Sequence, residues 1–171
     1  MLSEKMETAL NQQLNRELYS AYLYLSMAAY STSLGLQGCA KWFTVQAQEE
    51  VTHAMKFYNY IHQQGRKVTL EAIEAPQKDF DSITEAFNMT LEHEKLVTSL
   101  INKLVELAKK ENDVATEIFL QWFITEQVEE ESSASEIVQK FELGGDKGGP
   151  LLMIDSELAQ RTFTPPQAEE D

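Results

Sequence analysis

Apolar and small side chains recur at helical spacing through most of this chain, and the interruptions divide it into five segments. From Ser3 to Leu34 there is no Pro or Gly, Ser3 stands where an N-cap would, and Leu10, Leu14, Ala21 and Ala28 fall on one face. That spacing predicts a first helix, α1, over 3–34. Gly35 and Gly38 predict a turn. Ala40, Phe43, Ala47, Ala54, Phe57 and Ile61 then predict α2, over 40–64, ended by Gly65. Residues 66–81 contain Pro76 and no sustained stripe, so they read as a long connection. About 16 extended residues reach roughly 50 Å, the length of a helix of about 30 residues, so the connection can return along a whole bundle. The next helix would then run parallel to α2.

Ser82-Ile83-Thr84-Glu85 has the form of a capping box, and Ile83, Phe87, Leu91, Val97, Ile101 and Leu104 predict α3 over 83–111. Asn112 and Asp113 are expected to cap α4, whose stripe of Phe119, Phe123, Ala134, Ile137 and Phe141 runs to the glycine-rich stretch 144–149. Pro150, Leu151, Leu152, Ile154 and Leu158 predict a short α5 over 150–158. It is too small to complete a core and is expected to pack against neighbouring subunits. The acidic tail 164–171 is expected to be disordered. The reading is all-α: one domain over 1–163, a four-helix bundle with a long crossover between α2 and α3 and a short fifth helix.

The length of 171 residues with 43% hydrophobic content suits one well-packed core. A net charge of −14, from 28 acidic against 14 basic residues, argues against a nucleic-acid partner and permits attraction of cations. The single cysteine, Cys39, can form neither an intrachain disulfide nor a thiolate cage. Residues 1–5 lack the charged-then-apolar pattern of a signal segment, so a cytoplasmic location is expected. No apolar run approaches the roughly 20 residues that cross a bilayer, and no membrane association is expected.

Chemistry enters where polar residues occupy positions that call for apolar ones. The α1 seam reads Leu10, Leu14, Glu17, Ala21, Tyr24, Ala28, and the α2 seam reads Phe43, Ala47, Glu50, Ala54, Phe57. Glu94 interrupts α3 between Leu91 and Val97, while Gln127 and Glu130 stand between Phe123 and Ala134 in α4. His53 follows Glu50 by three residues, on the same face. Four inward carboxylates would lose hydration and repel one another, at several kcal/mol per uncompensated ion. No Lys or Arg lies on these seams near the cluster, and four carboxylates balance two divalent cations. Oxygen-rich ligation with one imidazole favours iron or manganese. Di-metal carboxylate bundles carry a Glu on each of two helices and Glu-x-x-His on the other two. Here α2 has Glu50-Val51-Thr52-His53, but α4 has Gln127-Val128-Glu129-Glu130, without a second histidine. The two metal positions are therefore unequal, which suits an ion that enters, is oxidised and leaves.

From Leu14-Asn15-Arg16-Glu17 through Trp42-Phe43 and Glu49-Glu50 to Ile154-Asp155, the chain resembles a non-haem bacterial-type ferritin. The resemblance implies the ferritin-like fold and a ferroxidase that turns Fe(II) into Fe(III), using O2 or peroxide, for storage as a ferric oxyhydroxide mineral. It implies a tighter iron position at Glu17, Glu50 and His53, and a second at Glu94 and Glu130, with Glu50 bridging and Gln127 close by. A third position near the inner surface is implied at Glu49, Glu126, Glu129 and Glu130. Tyr24, two turns after Glu17, is implied as a hydrogen-bonding or one-electron partner in oxygen reduction, beside Glu50 and His53. The resemblance also implies a homo-oligomeric shell of about 24 subunits with iron inside.

Related families fit less well. A bacterioferritin would carry a second Glu-x-x-His and a haem-binding Met directly after the α2 glutamate, where this chain has Val51, so no haem is expected. A rubrerythrin-type peroxidase needs paired Cys-x-x-Cys motifs. The small DNA-protecting relatives place iron between subunits and often carry basic tails. Two functional rivals remain: a bundle that stores iron without oxidising it, and a di-metal oxidase with an organic substrate. A cavity beside the metals would mark the latter, and Tyr24 and Trp122 leave little room for one. Trp122 itself is expected mainly to pack. His62 and His93 lack partners at ligand spacing and are expected to be surface or hydrogen-bonding histidines; Met6, Met27, Met55 and Met89 are expected to pack.

Overall fold

A computed structural model describes residues 2–164. Among them are five α-helices and no strand: α1 Glu4–Ser33, α2 Gln37–Gln63, α3 Ile83–Glu111, α4 Val114–Gly144 and α5 Gly148–Leu158. Of the acidic tail only Thr164 is described; 165–171 lie outside the described residues.

The caps are local and sequence-encoded. Ser3 accepts from the Met6 amide, Ser82 from Glu85 and Asp113 from Thr116, each satisfying an N–H that has no partner within its helix. Asn112 belongs to the preceding helix: with φ 55° it closes α3 in the left-handed conformation, leaving Asp113 alone to cap α4. Helices α1 and α2 form one antiparallel pair and α3 and α4 the other, each joined by a short turn.

The crossover lies along α1. Asn11 donates to the Lys67 carbonyl and accepts from the Thr69 amide, Asn15 donates to Ala72, Ser26 donates to Gln77, and the Tyr30 ring packs on Phe80. The chain thus travels from one end of α1 to the other before entering α3, which makes α3 parallel to α2. At the far end, Ser3 Oγ donates to Glu111 at 2.6 Å, tying the start of α1 to the close of α3.

The core is divided in two. One apolar cluster centres on Phe43, Phe87, Trp42 and Phe141, the other on Phe57, Phe123, Leu10, Leu14 and Ile101. Phe43 stacks on Phe87 at 4.6 Å and Phe57 on Phe123 at 4.3 Å. Between the clusters the seam positions carry Glu17, Glu50, His53, Glu94, Gln127 and Glu130, all buried. Met6 and Met27 pack as expected, whereas Met55 is largely exposed.

Two expectations are corrected at α5. Gly38 does not make a turn; it lies in the first turn of α2, where an added Cβ would overlap the Asp155 carbonyl. And α5 does not leave its whole apolar stripe to neighbours: Ile154 and Leu158 are buried in this chain's own core, while Leu152 and Met153 face outward. The Asp155 carboxylate accepts from the Cys39 amide at 2.8 Å, capping α2 where Leu36 offers no side-chain cap. Gly38→Ala is therefore expected to push α5 off α2 and destabilise the chain by about 1–3 kcal/mol, as overpacking does. Thermal unfolding would measure it, and an unchanged midpoint would mean that α5 shifts at no cost.

Candidate metal centre

Each long helix brings a carboxylate to the polar layer. Glu17, Glu50 and Glu94 have 1%, 1% and 0% of their surface exposed and Glu130 6%, a degree of burial that ionised glutamates reach only with a partner. Glu17, Glu50 and His53 each offer a donor atom within 4.8 Å of the others, and so do His53, Glu126 and Glu130. The imidazole is the hinge between the two triads: Nδ1 lies 3.4 Å from Glu50 and Nε2 3.7 Å from Glu126. The Trp122 ring meets His53 edge-on at 5.4 Å and itself lies under the Lys56 ammonium, a packing role as expected.

Glu94 completes the layer from α3 but belongs to neither triad. It accepts hydrogen bonds from the Tyr24 hydroxyl and, at 3.2 Å, from Gln127, whose amide also reaches the Glu94 carbonyl and Thr98. Glu49 is half-buried and paired with Arg161. Glu129 is exposed and lies outside both triads.

The remaining contacts orient the carboxylates. Gln13 donates to Glu17 at 2.8 Å and Gln46 donates to Glu130 at 2.6 Å. Glu17 Oε2 and Glu50 Oε2 remain buried with no hydrogen bond, the latter 3.4 Å from His53 Nδ1. Two orphaned carboxylate oxygens facing one imidazole form a cradle for a cation, because burying such an atom without a partner costs free energy that a bound metal ion removes.

Protonation follows the same logic. Burial, then the neighbouring Glu50 carboxylate, holds Glu17 well above the usual carboxylate range, and burial pushes Glu50 up to about 7 against the pull of His53. Glu94 rises to about 8 through burial and then Glu130, and burial raises Glu130 as well. Burial alone would lower His53, but the neighbouring Glu126 and Glu50 carboxylates outweigh that and hold the imidazole well above its usual value. Burial and Glu94 raise Tyr24, so the phenol keeps its proton and donates it. Without metal the cluster holds extra protons; metal binding must release them.

Some of the supporting residues escaped the sequence reading. Gln13 was legible, four residues before Glu17 on one helical face. Gln46 and Arg161 carry no local signal, since their roles depend on α4 and on the segment after α5. His93 is a hydrogen-bonding histidine as expected: it meets Ser20 at 2.8 Å and presents its ring to Tyr24, and burial with Arg16 nearby lowers it to about 4, so it is neutral.

A cavity of about 730 Å³ lies between α1, α3 and the crossover. Gln13, Ser20 and His93 form its wall toward the metal centre, and neither triad nor Glu94 lines it. A second cavity of about 340 Å³ between α3 and α4 is lined by Gln127, Thr98 and Ile101, and neither triad nor Glu94 lines it.

Comparison with known proteins agrees with this architecture. The family model of the ferritin-like domain matches residues 7–144. A probable bacterial non-heme ferritin-like protein of Haemophilus influenzae is 42% identical over 158 residues, covering 92% of this chain and 96% of its own. A bacterial non-heme ferritin of Staphylococcus aureus is 41% identical over 163 residues, covering 95% and 98%. Among solved structures, an engineered closed form of the Archaeoglobus fulgidus ferritin superposes with a TM-score of 0.94 at 51% identity, over 96% of this chain and all of its own. The open-pore ferritin of the same archaeon gives 0.93 at 51%, over 95% and 100%. With four helices delivering carboxylates to one buried layer, a crossover that sets α3 parallel to α2, and matches over nearly the whole length, the chain belongs to the ferritin family.

Proposed function

We propose that this protein oxidises Fe(II) at an intrasubunit two-iron centre and stores the product as ferric oxyhydroxide. The observation that carries the reading is the pair of buried oxygens on Glu17 and Glu50 that lack a hydrogen bond and face His53, whose Nδ1 stands 3.4 Å from the Glu50 oxygen. One Fe(II) binds at Glu17, Glu50 and His53. A second binds at Glu94 and Glu130, with Glu50 bridging and Gln127 orienting Glu94. Each iron gives one electron, so the pair reduces O2 by two electrons to hydrogen peroxide, with two protons taken up; peroxide as oxidant would be reduced to water instead. The protein holds the two ions together and neutralises their charge in a water-poor layer. To Tyr24, whose hydroxyl donates to Glu94, we assign the role of hydrogen-bonding or one-electron partner in oxygen reduction.

Glu49, Glu126, Glu129 and Glu130 form a third, weaker position through which oxidised iron passes toward the mineral. The acidic surface that goes with a charge of −14 favours nucleation of ferric oxyhydroxide. The exposed apolar side chains on α1, α4 and α5, among them Leu25, Ile118 and Met153, fit burial between copies of this chain in a closed shell of about 24 subunits. No described helix is long and apolar enough to cross a membrane, and we place the shell in the cytoplasm, without haem, nucleic acid or membrane as partner.

Anaerobic loading with Fe(II) followed by rapid mixing with O2 tests the reading. A fast visible transient that saturates near two irons per subunit is expected. Slow oxidation with no saturation at that ratio would leave a storage protein without a catalytic centre. Light scattering of the native protein tests the shell; the mass of a single chain would exclude it.

A further inference from the structure

Arg161 lies beyond α5, outside every helical stripe, yet its guanidinium ends at the metal centre. Nη1 donates to Gln46 Oε1 at 2.7 Å, Nη2 pairs with Glu49, and the guanidinium stands 4.4 Å from the centre of the Trp42 ring. Gln46 is fully buried and passes the contact on, since its amide donates to Glu130. Arg161 therefore touches Glu49 directly and reaches Glu130 through one side chain. The docking of α5 places it there: Asp155 caps α2, and Lys41 donates to the Ala159 carbonyl at 2.7 Å, two residues before Arg161.

This contact has an electrostatic meaning. Glu49 lies in the field of Glu130, His53 and Glu126 as well as Arg161, and among these charged neighbours Arg161 acts on it most strongly. A guanidinium is planar, permanently charged and weakly hydrated, and it can hold two acceptors at once while resting on an aromatic face. It is thus suited to sit where a metal ion would otherwise sit. Arg161 engages Glu49 Oε2, so a cation taking that oxygen must break the pair, and one approaching Oε1 meets the guanidinium charge beside it.

We propose that Arg161 is a tethered internal cation of this centre, holding Glu49 until a third metal ion displaces it while keeping Gln46 against Glu130. The proposal rests on the reading of Glu49 as a ligand of the third position. It makes that position weak by construction: the incoming ion competes with a charge that is attached to the chain and returns when the ion leaves. Displaced from Glu49, the guanidinium still has the Trp42 face and Gln46 to hold it nearby.

Anaerobic calorimetric titration of Fe(II) into the native protein, Arg161→Gln and Arg161→Lys, each as assembled full-length chain, tests this. In the native protein two ions bind tightly and a third more weakly. Arg161→Gln keeps a hydrogen-bonding group without the charge and is expected to bind the third ion about tenfold more tightly, with the first two within about twofold of native. Arg161→Lys restores a charge and is expected to return the third ion to near its native affinity. A third ion bound equally by native and Arg161→Gln, or absent from both, overturns the proposal. So does loss of the two tight ions in a normally helical Arg161→Gln, which would make Arg161 a structural prop. Failure of the native protein to bind a pair of ions would instead sink the two-iron reading on which this one stands.

Discussion

Glu50→Ala is expected to abolish the fast phase of Fe(II) oxidation, lowering its rate by about a hundredfold or more, because in the function we propose Glu50 is the one carboxylate shared by both iron positions. The loss of a bridging ligand differs from the loss of a surface charge. Glu50, like Glu17, has an oxygen buried without a hydrogen bond, so in the native chain that oxygen gains from a metal ion and contributes to holding one. His53→Ala should act in the same direction, since the imidazole stands in both triads. Glu50→Gln separates charge from shape: the amide fills the same volume and carries no negative charge, and it is expected to be nearly as slow. The exposed Glu106 serves as control, and Glu106→Gln should oxidise iron within about twofold of the native rate. Stopped-flow absorbance under single-turnover loading reads all four variants. A Glu50→Ala protein that retained the transient at two irons per subunit would remove Glu50 from the centre.

The second large effect is on stability, in the metal-free protein. Glu17, Glu50, Glu94, Glu130 and His53 all titrate higher folded than unfolded, so the native state binds more protons than the unfolded chain through this range. The stability these groups contribute is fully present below the unfolded carboxylate value, and it is lost as pH rises through the folded values. For Glu50 the rise from 4.5 to about 7 corresponds to about 3 kcal/mol. Chelated protein should therefore unfold at progressively lower temperature between about pH 4.5 and 8. Ordinary acid denaturation runs the other way, because paired carboxylates usually titrate lower in the fold. Adding Fe(II) anaerobically, or a redox-inert divalent ion, should restore the lost midpoint most strongly at the upper end of that window, where the protons to be displaced are fewest. Differential scanning calorimetry with and without chelator distinguishes the cases. A midpoint that rose with pH in the chelated protein would mean that the cluster is not held protonated.

Much of this was legible before any fold was considered. Helix existence and caps are local matters: Ser3, Ser82 and Asp113 satisfy amides three residues away, so their roles follow from adjacency. The carboxylates were legible by a different route. In a seam where the period calls for apolar side chains, Glu17, Glu50, Glu94 and Glu130 are anomalies, and a bundle turns such anomalies toward one another. Gly38 was misread because glycine usually signals a turn, whereas here it marks the close approach of two backbones from distant parts of the chain.

Periodicity thus determined which residues face inward, since a helix of 3.6 residues per turn fixes the direction of each side chain relative to its neighbours. The length of the 66–81 segment determined that α3 could run parallel to α2. What tertiary structure alone decided is which inward groups meet. His53 standing between two triads, Gln46 turned onto Glu130, Asp155 capping a helix 116 residues earlier in sequence, and Arg161 lying against Glu49 all depend on axial shifts of one helix against another and on the docking of α5. Those offsets are set by side-chain packing in the two apolar clusters above and below the polar layer, a property of all helices at once that no single stretch of sequence carries.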